Sequence, residues 1–232
     1  MKIIFLYTLL LSILGSCSES EFEFHQTYFT PQEPNGKILY ADQTKDSTLL
    51  VSYDPWKATL EFTDANEWFT ITPNECEFEK GTQYKETKMY ITTTPNTSGK
   101  TRTGHVHINT YDIKSYYLVG LNVTQHPWLN ITLPHGIWNE EKGMETFTYN
   151  IHTPDEQNVV VSFTVYDNNA TLTSNAEWLK PQSVSITAGK QHTVTVNITE
   201  NTDTSAPRTA TLTLKSNGIE TPITVTQAKA NY

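Results

Sequence analysis

Cysteine is nearly absent from this 232-residue chain. The two that occur, Cys17 and Cys76, lie far apart, so no disulfide framework is available and any core must hold by packing alone. Arginine is equally scarce, with Arg102 and Arg208 the only two. Lys and Arg together number 16 against 25 Asp and Glu, giving a formal charge of −9 and a pI near 5.2. Counterion release from a phosphate backbone needs clustered cations, and these lysines are scattered among carboxylates, so nucleic acid is not an expected partner. Glycine is modest, and there is no phosphate-cradling glycine loop, no Gly-x-Ser-x-Gly elbow and no His-Glu-x-x-His pattern, which removes the local signatures of nucleotide-binding, esterase and zinc-protease sites. No apolar run reaches the roughly 20 residues that a spanning helix needs.

What is present is a frame that occurs twice. The first copy reads Asn66-Glu67-Trp68-Phe69, Asn96-Thr97, Thr101-Arg102-Thr103 and Val123-Thr124-Gln125; the second reads Ala176-Glu177-Trp178-Leu179, Asn201-Thr202, Pro207-Arg208-Thr209 and Val225-Thr226-Gln227. Both arginines fall at one place in the frame, so the chain reads as a tandem duplication of a domain. The stretch from Trp68 to Gln125 is longer than that from Trp178 to Gln227, and loops absorb such differences more easily than strands. Two units of roughly 100 residues fit the length and are each large enough to bury a core.

Ahead of the frames, one lysine and an apolar stretch from Ile3 to Leu14 have the length of a secretory h-region. Leu14-Gly15-Ser16-Cys17 resembles the lipobox of bacterial lipoproteins, which implies cleavage before Cys17 and a lipid anchor on it. Several acyl chains would anchor stably, since each buried methylene adds about 0.8 kcal/mol. Ser18-Glu19-Ser20-Glu21 resembles the acidic export signals of surface lipoproteins of Bacteroidetes. Residues 1–16 are thus expected to be a signal peptide, 17–36 a polar linker, 37–126 the first domain and 127–232 the second, with Gln125 closing one frame and Pro127 marking the junction. The expected address is the outer membrane, lipid-anchored and facing the cell surface.

From Lys37 the apolar residues alternate with polar ones in short runs separated by turn residues such as Asp54-Pro55, Pro73-Asn74 and Asn96-Thr97-Ser98-Gly99. Period-2 alternation in about seven short segments per copy predicts strands, and their number predicts an all-β chain of two tandem immunoglobulin-like β-sandwiches. Pro134 to Gly143 reads as a loop, and Ser216-Asn217-Gly218 as a hairpin turn in which Asn and Gly take positive φ.

The chemistry-bearing residues are few. Trp68 and Trp178 are expected in the core, and Arg102 and Arg208 are expected to bond loop carbonyls or cover a sheet end. His105 and His107 share a strand face, with Val106 and Ile108 inward, but two histidines do not make a metal site, and no metal or cofactor is expected. Cys76 lies between two carboxylates, Glu75 and Glu77, and does not read as a nucleophile. A carboxylate pair for glycoside hydrolysis is defined in space and not in sequence, yet two small sandwiches leave little room for a deep cleft, so a non-enzyme is expected. The remaining signal is aromatic. Sugars present C–H faces to flat rings, and Trp56, Tyr111, Tyr116, Tyr117 and Trp138 lie at turns or beside other aromatics. Of these, Tyr116, Tyr117 and Trp138 are the candidate carbohydrate contacts.

Both frames, with their Glu-Trp, Asn-Thr, Arg-Thr and Val-Thr-Gln elements, resemble BACON domains, a Bacteroidetes-associated family whose name proposes carbohydrate binding. The resemblance covers nearly all of the chain after the signal segment. It implies an immunoglobulin-like sandwich in a surface lipoprotein of a glycan-using bacterium, and it transfers no binding residues, because the matching positions read as core and turn. The resulting expectation is a non-catalytic surface lipoprotein binding a poly- or oligosaccharide or a mucin-type glycan, monomeric on its tether. The alternative is a spacer or protein-docking module with an outer-membrane protein partner and no glycan affinity.

Overall fold

The computed structural model of the chain describes residues 27–30, 36–64, 66–77, 84–110, 119–132, 137–141, 144–182 and 185–231. Among them there is no helix. The first half contains β1 (Tyr28–Thr30), β2 (Lys37–Leu39), β3 (Lys45–Ser52), β4 (Trp56–Phe62), β5 (Phe69–Thr72), β6 (Glu75–Cys76), β7 (Lys85–Thr93), β8 (Arg102–Thr110) and β9 (Val119–Gln125). The second contains β10 (Asn130–Thr132), β11 (Ile137–Glu141), β12 (Met144–Ile151), β13 (Gln157–Val165), β14 (Ala170–Ser174), β15 (Leu179–Pro181), β16 (Ser185–Ile186), β17 (Lys190–Ile198), β18 (Arg208–Ser216) and β19 (Ile219–Gln227). Four sheets result, in the orders β1-β3-β7-β5, β2-β9-β8-β4-β6, β10-β13-β17-β15 and β11-β12-β19-β18-β14-β16. The first two enclose one core and the last two another, as the all-β immunoglobulin-like expectation requires.

Two sequence readings change. The stalk assigned to residues 17–36 contains β1, where Phe29 is buried against the first core and pairs with Leu50, so the sandwich starts before Lys37. The loop assigned to 134–143 contains β11, which pairs antiparallel with β12. Ile137 and Trp138 are strong strand formers, and an available edge on β12 outweighs the turn residues around them. The Asn217-Gly218 turn behaves as read: φ is 45° and 83° at the two positions, joining β18 to β19.

The alternation is explained by burial. On β7, Met89 and Ile91 are about 1 % exposed and face the core, while Glu86, Lys88 and Tyr90 point outward. The corner beside the first frame is filled with rings: Phe62 lies edge-on to Phe69 at 5.1 Å, and Trp68 to Phe69 at 4.7 Å. Gly104 exists to let them in, because a Cβ there would sit 2.6 Å from Phe69 Cε1 and 3.0 Å from the Glu61 carbonyl oxygen.

The two sandwiches are docked. The turn after β2 reaches across, and Ala41, fully buried, joins the core cluster of the second sandwich. The Ala41 N–H donates to the Trp128 carbonyl at 2.9 Å, and the Tyr40 ring stacks on Tyr166 at 6.2 Å and 12°. Asp42 accepts the Tyr166 N–H at 2.6 Å through Oδ2, and Asp167 returns the arrangement by accepting the Thr44 N–H at 3.0 Å and its hydroxyl. Burial, with Asp167 nearby, pushes the Asp42 carboxyl up. His126, stacked on Trp128 at 4.1 Å, is pushed down to about 4 by burial.

Two predictions follow from this packing. Gly104→Ala should lower unfolding stability by about 1–3 kcal/mol through overpacking, and adding Phe69→Leu should recover much of the loss, as read by urea denaturation. Stability should also fall between about pH 6.5 and about 4, because the unfolded chain protonates His126 while the folded one resists. Asp42 acts in the opposite sense near the acid end, since a raised folded pKa favours the folded state as pH drops. A His126→Asn variant should therefore lose the downward slope, and an unchanged slope would reject the assignment.

Candidate functional site

The twice-repeated frame forms the same clamp in each sandwich, and the clamp is structural. Arg102 donates its Nε–H to Gln125 Oε1 at 2.9 Å and its Nη2 to the Thr94 carbonyl, while its Cζ lies 4.6 Å from the Trp68 ring centroid. Arg208 repeats this with Gln227 Oε1 at 2.9 Å, the Thr199 carbonyl, and the Trp178 ring at 4.4 Å. Asn96 and Asn201 donate their side-chain amides to the carbonyls of Gln125 and Ala228 at 3.1 Å and 2.9 Å. These side chains are occupied with the protein itself, which leaves function to positions where the copies differ.

The most distinct difference is the outer face of β1-β3-β7-β5. Register places Val51 opposite Tyr28 and Glu86, and Ser47 opposite Tyr90 and across from Thr72. One step beyond the β3–β7 ladder, Tyr53 and Tyr84 face each other with ring centroids 5.9 Å apart. Four tyrosines therefore stand on one sheet face. Tyr84, Tyr90 and Tyr28 are 55 %, 53 % and 37 % exposed. At the rise of an extended strand, Tyr84 and Tyr90 lie about 20 Å apart, with Glu86 and Lys88 between them and the Lys88 ammonium 5.3 Å from the Tyr90 ring centroid. Flat exposed rings with charged and hydroxyl groups between them can take the C–H faces and hydroxyls of a sugar chain. The corresponding face of the second sandwich is built mainly of hydroxyls and amides with one exposed valine: β13 presents Asn158, Val160, Ser162 and Thr164, and β17 presents Thr193 and Asn197. None of these is a ring.

Of the residues singled out from sequence, Tyr111, Tyr116, Tyr117 and Cys17 lie outside the described residues. Trp138 is on β11, opposite Phe147. Trp56 is a correction, for it is fully buried in the first core and opposite Cys76, with no hydrogen bond to its Nε1 among the described residues. A buried Trp at the start of β4 faces inward by the same alternation that buries Ala58. His105 and His107 do face outward, with rings 4.3 Å apart, bonded to Asn122 Oδ1 at 2.7 Å and Glu61 Oε2 at 2.8 Å. Among the described residues no group of three or more His, Cys, Asp or Glu is placed to hold a metal ion. Turn chemistry does not reveal the tyrosine face, because Tyr90 sits inside β7 and Tyr84 immediately precedes it; their even positions, out of phase with inward Met89 and Ile91, are the available signal.

The fold is that of a tandem immunoglobulin-like protein, and among the described residues the outer face of β1-β3-β7-β5 carries exposed tyrosines. The BACON family model, described as "Putative binding domain, N-terminal", matches residues 57–126 and 168–228, over half of the chain, and the chain belongs to the BACON family. No curated protein matches the sequence. Among solved structures the chain is similar to a Bacteroides ovatus GH5 xyloglucanase in complex with a XXXG heptasaccharide, at 17 % identity and TM-score 0.32 over 42 % of this chain and 19 % of that one. It spans under one fifth of that protein's length. It is also similar to the I9–I11 tandem of titin, at 12 % identity and TM-score 0.25 over 88 % of this chain and 66 % of that one. The D00–D0 domain of intimin matches at 10 % identity and TM-score 0.31 over 89 % of this chain and 100 % of that one. These likenesses extend to the fold alone.

The clamp assignment yields a direct test. Arg208→Lys keeps the charge but loses the planar fork and the stacking on Trp178, and should cost the second sandwich about 1–2 kcal/mol by urea denaturation.

Proposed function

We propose that this chain is a non-catalytic, lipid-anchored surface protein whose tandem BACON domains bind carbohydrate, as a poly- or oligosaccharide or a mucin-type glycan. The observation that carries the reading is the outer face of β1-β3-β7-β5, with Tyr90 on β7 and Tyr84 immediately before it each more than half exposed. Exposed rings gathered on one sheet face, here with Tyr28 and Tyr53 beside them, are the kind of patch that marks an interaction surface. Membership of a family of binding domains supports it. In this reading Cys17 tethers the protein to the outer membrane facing out, the chain acts as a monomer, and Tyr116, Tyr117 and Trp138 are further candidate carbohydrate contacts.

A second reading has its own support. The docked junction at Tyr40–Thr44 and the two Arg–Trp clamps make a stiff pair of sandwiches, which suits a spacer or docking module for an outer-membrane protein.

The soluble chain from residue 22 should be retarded in gels containing at least one polysaccharide of a broad panel. Tyr84→Ala with Tyr90→Ala should weaken that affinity about tenfold, from two lost ring contacts, with an unchanged circular dichroism spectrum. No retardation of the parent across the panel would give the spacer reading precedence, and the next search would be a pull-down from the native outer membrane.

A further inference from the structure

The second sandwich carries a cleft of about 410 Å3 between β14 and β15, which belong to its two different sheets. Its origin is a divergence between the copies. In the first sandwich Phe62 stands opposite Gly104 on β8, two residues beyond Arg102. In the second, β14 and β18 pair Ser174 with Leu212, and continuing that register by two residues sets Ala176 against Ala210, two residues beyond Arg208. The position filled by Phe62 in the first copy thus holds Ala176 in the second. Leu179 likewise replaces Phe69 next to the frame tryptophan. An edge-on ring pair at 5.1 Å becomes alanine and leucine, and the one methyl returned at Ala210 does not make up the loss.

We infer that this cleft is a binding site for a single sugar ring, a terminal or branching pyranose. Its volume lies at the small end of the roughly 300–1,000 Å3 of ligand pockets. Ala176 and Pro181 give it an apolar wall, which suits the C–H face of a pyranose. Thr173, Glu177 and Lys180 put a hydroxyl, an acceptor and a donor at its rim. Glu177 and Lys180 have no hydrogen-bond or ion-pair partner among the described residues. By contrast Ser174 is spent on Ala176, and Asn175 Oδ1 accepts the Thr211 N–H at 2.8 Å. Free polar groups at the rim and satisfied ones behind it are what an adaptable hydroxyl-binding site requires. The inference rests on the carbohydrate reading but on different residues from the tyrosine face.

The test is an amide-shift titration of the full chain in detergent with free monosaccharides and their methyl glycosides, including glucuronate and N-acetylglucosamine, at tens of millimolar. At least one should shift Thr173, Ala176 and Lys180 saturably. Ala176→Phe, which restores the first copy's ring at a partly exposed position, should abolish the shifts. Glu177→Ala with Lys180→Ala, both exposed, should weaken binding about tenfold without altering the melting temperature. Tyr84→Ala with Tyr90→Ala should leave the shifts intact. Absence of any shift at these residues, or shifts that survive Ala176→Phe in a folded protein, overturns the site. Monosaccharide shifts without polysaccharide retardation would sustain the cleft and reject the tyrosine face, and retardation without shifts would do the reverse.

Discussion

A buried glutamine amide governs much of this structure. Gln125 and Gln227 are fully buried, and a buried amide left unpaired costs about 1–3 kcal/mol for each missing bond. Each therefore has to be surrounded by partners, and those partners come from separate parts of the chain. The Gln125 oxygen takes Arg102 Nε, and its nitrogen donates to the carbonyls of Tyr40 and Gln43, each at 3.1 Å. Gln227 Nε2 donates to the carbonyls of Pro154 and Asp155 at 2.9 Å and 3.1 Å. Satisfying one side chain thus fixes the last strand, the arginine that covers the tryptophan, and the turn that crosses to the other sheet. In the first sandwich that turn is Tyr40–Gln43, the segment that docks on the second sandwich. The frame shapes the junction.

This explains what the sequence could reveal. Residues repeated at fixed places were the most legible and prove to be structural: Trp68 and Trp178 under their arginines, Asn96 and Asn201 on loop carbonyls. Strand positions followed from alternation, because inward residues such as Val106 and Ile108 are almost fully buried while His105 and His107 between them are not. The junction was not legible. Ala41-Asp42-Gln43 carries no apolar period, and nothing in its composition shows that Ala41 belongs to the core of the other domain. The β11 strand was hidden for the opposite reason, since prolines, glycines and charges around Ile137-Trp138 read as loop chemistry until an edge to pair with is known.

The functional candidates were hardest to see because they lie where the copies disagree. A repeat draws attention to what is kept, and here what is kept holds the sandwiches together. Tyr84 and Tyr90 have no ring counterparts on β17, and Ala176 is matched with Phe62 only after strand register corrects the spacing taken from the tryptophans. Counting back from Trp178 would set Leu172 against Phe62, whereas the ladders anchored on Arg102 and Arg208 set Ala176 there. A shift of four residues preserves the inward face of a strand, so hydrophobic pattern alone cannot distinguish the two alignments.

The docked junction gives these divergences a common consequence. Asp42 is a carboxyl held at 1 % exposure, and burying a charge has a cost that only good geometry offsets. Its partner is the Tyr166 N–H, and Asp167 answers with the Thr44 N–H, so the two turns cap each other and resist rotation more than an apolar contact of equal area would. Were both candidate sites to engage one ligand, a stiff frame would leave little orientational entropy to lose, and the second contact would be intramolecular once the first is made. A flexible linker would spread that effective concentration over many orientations. Under the proposed carbohydrate reading, the contacts of Asp42 and Asp167 would hold the two candidate sites at a fixed separation, although neither residue lies at either site.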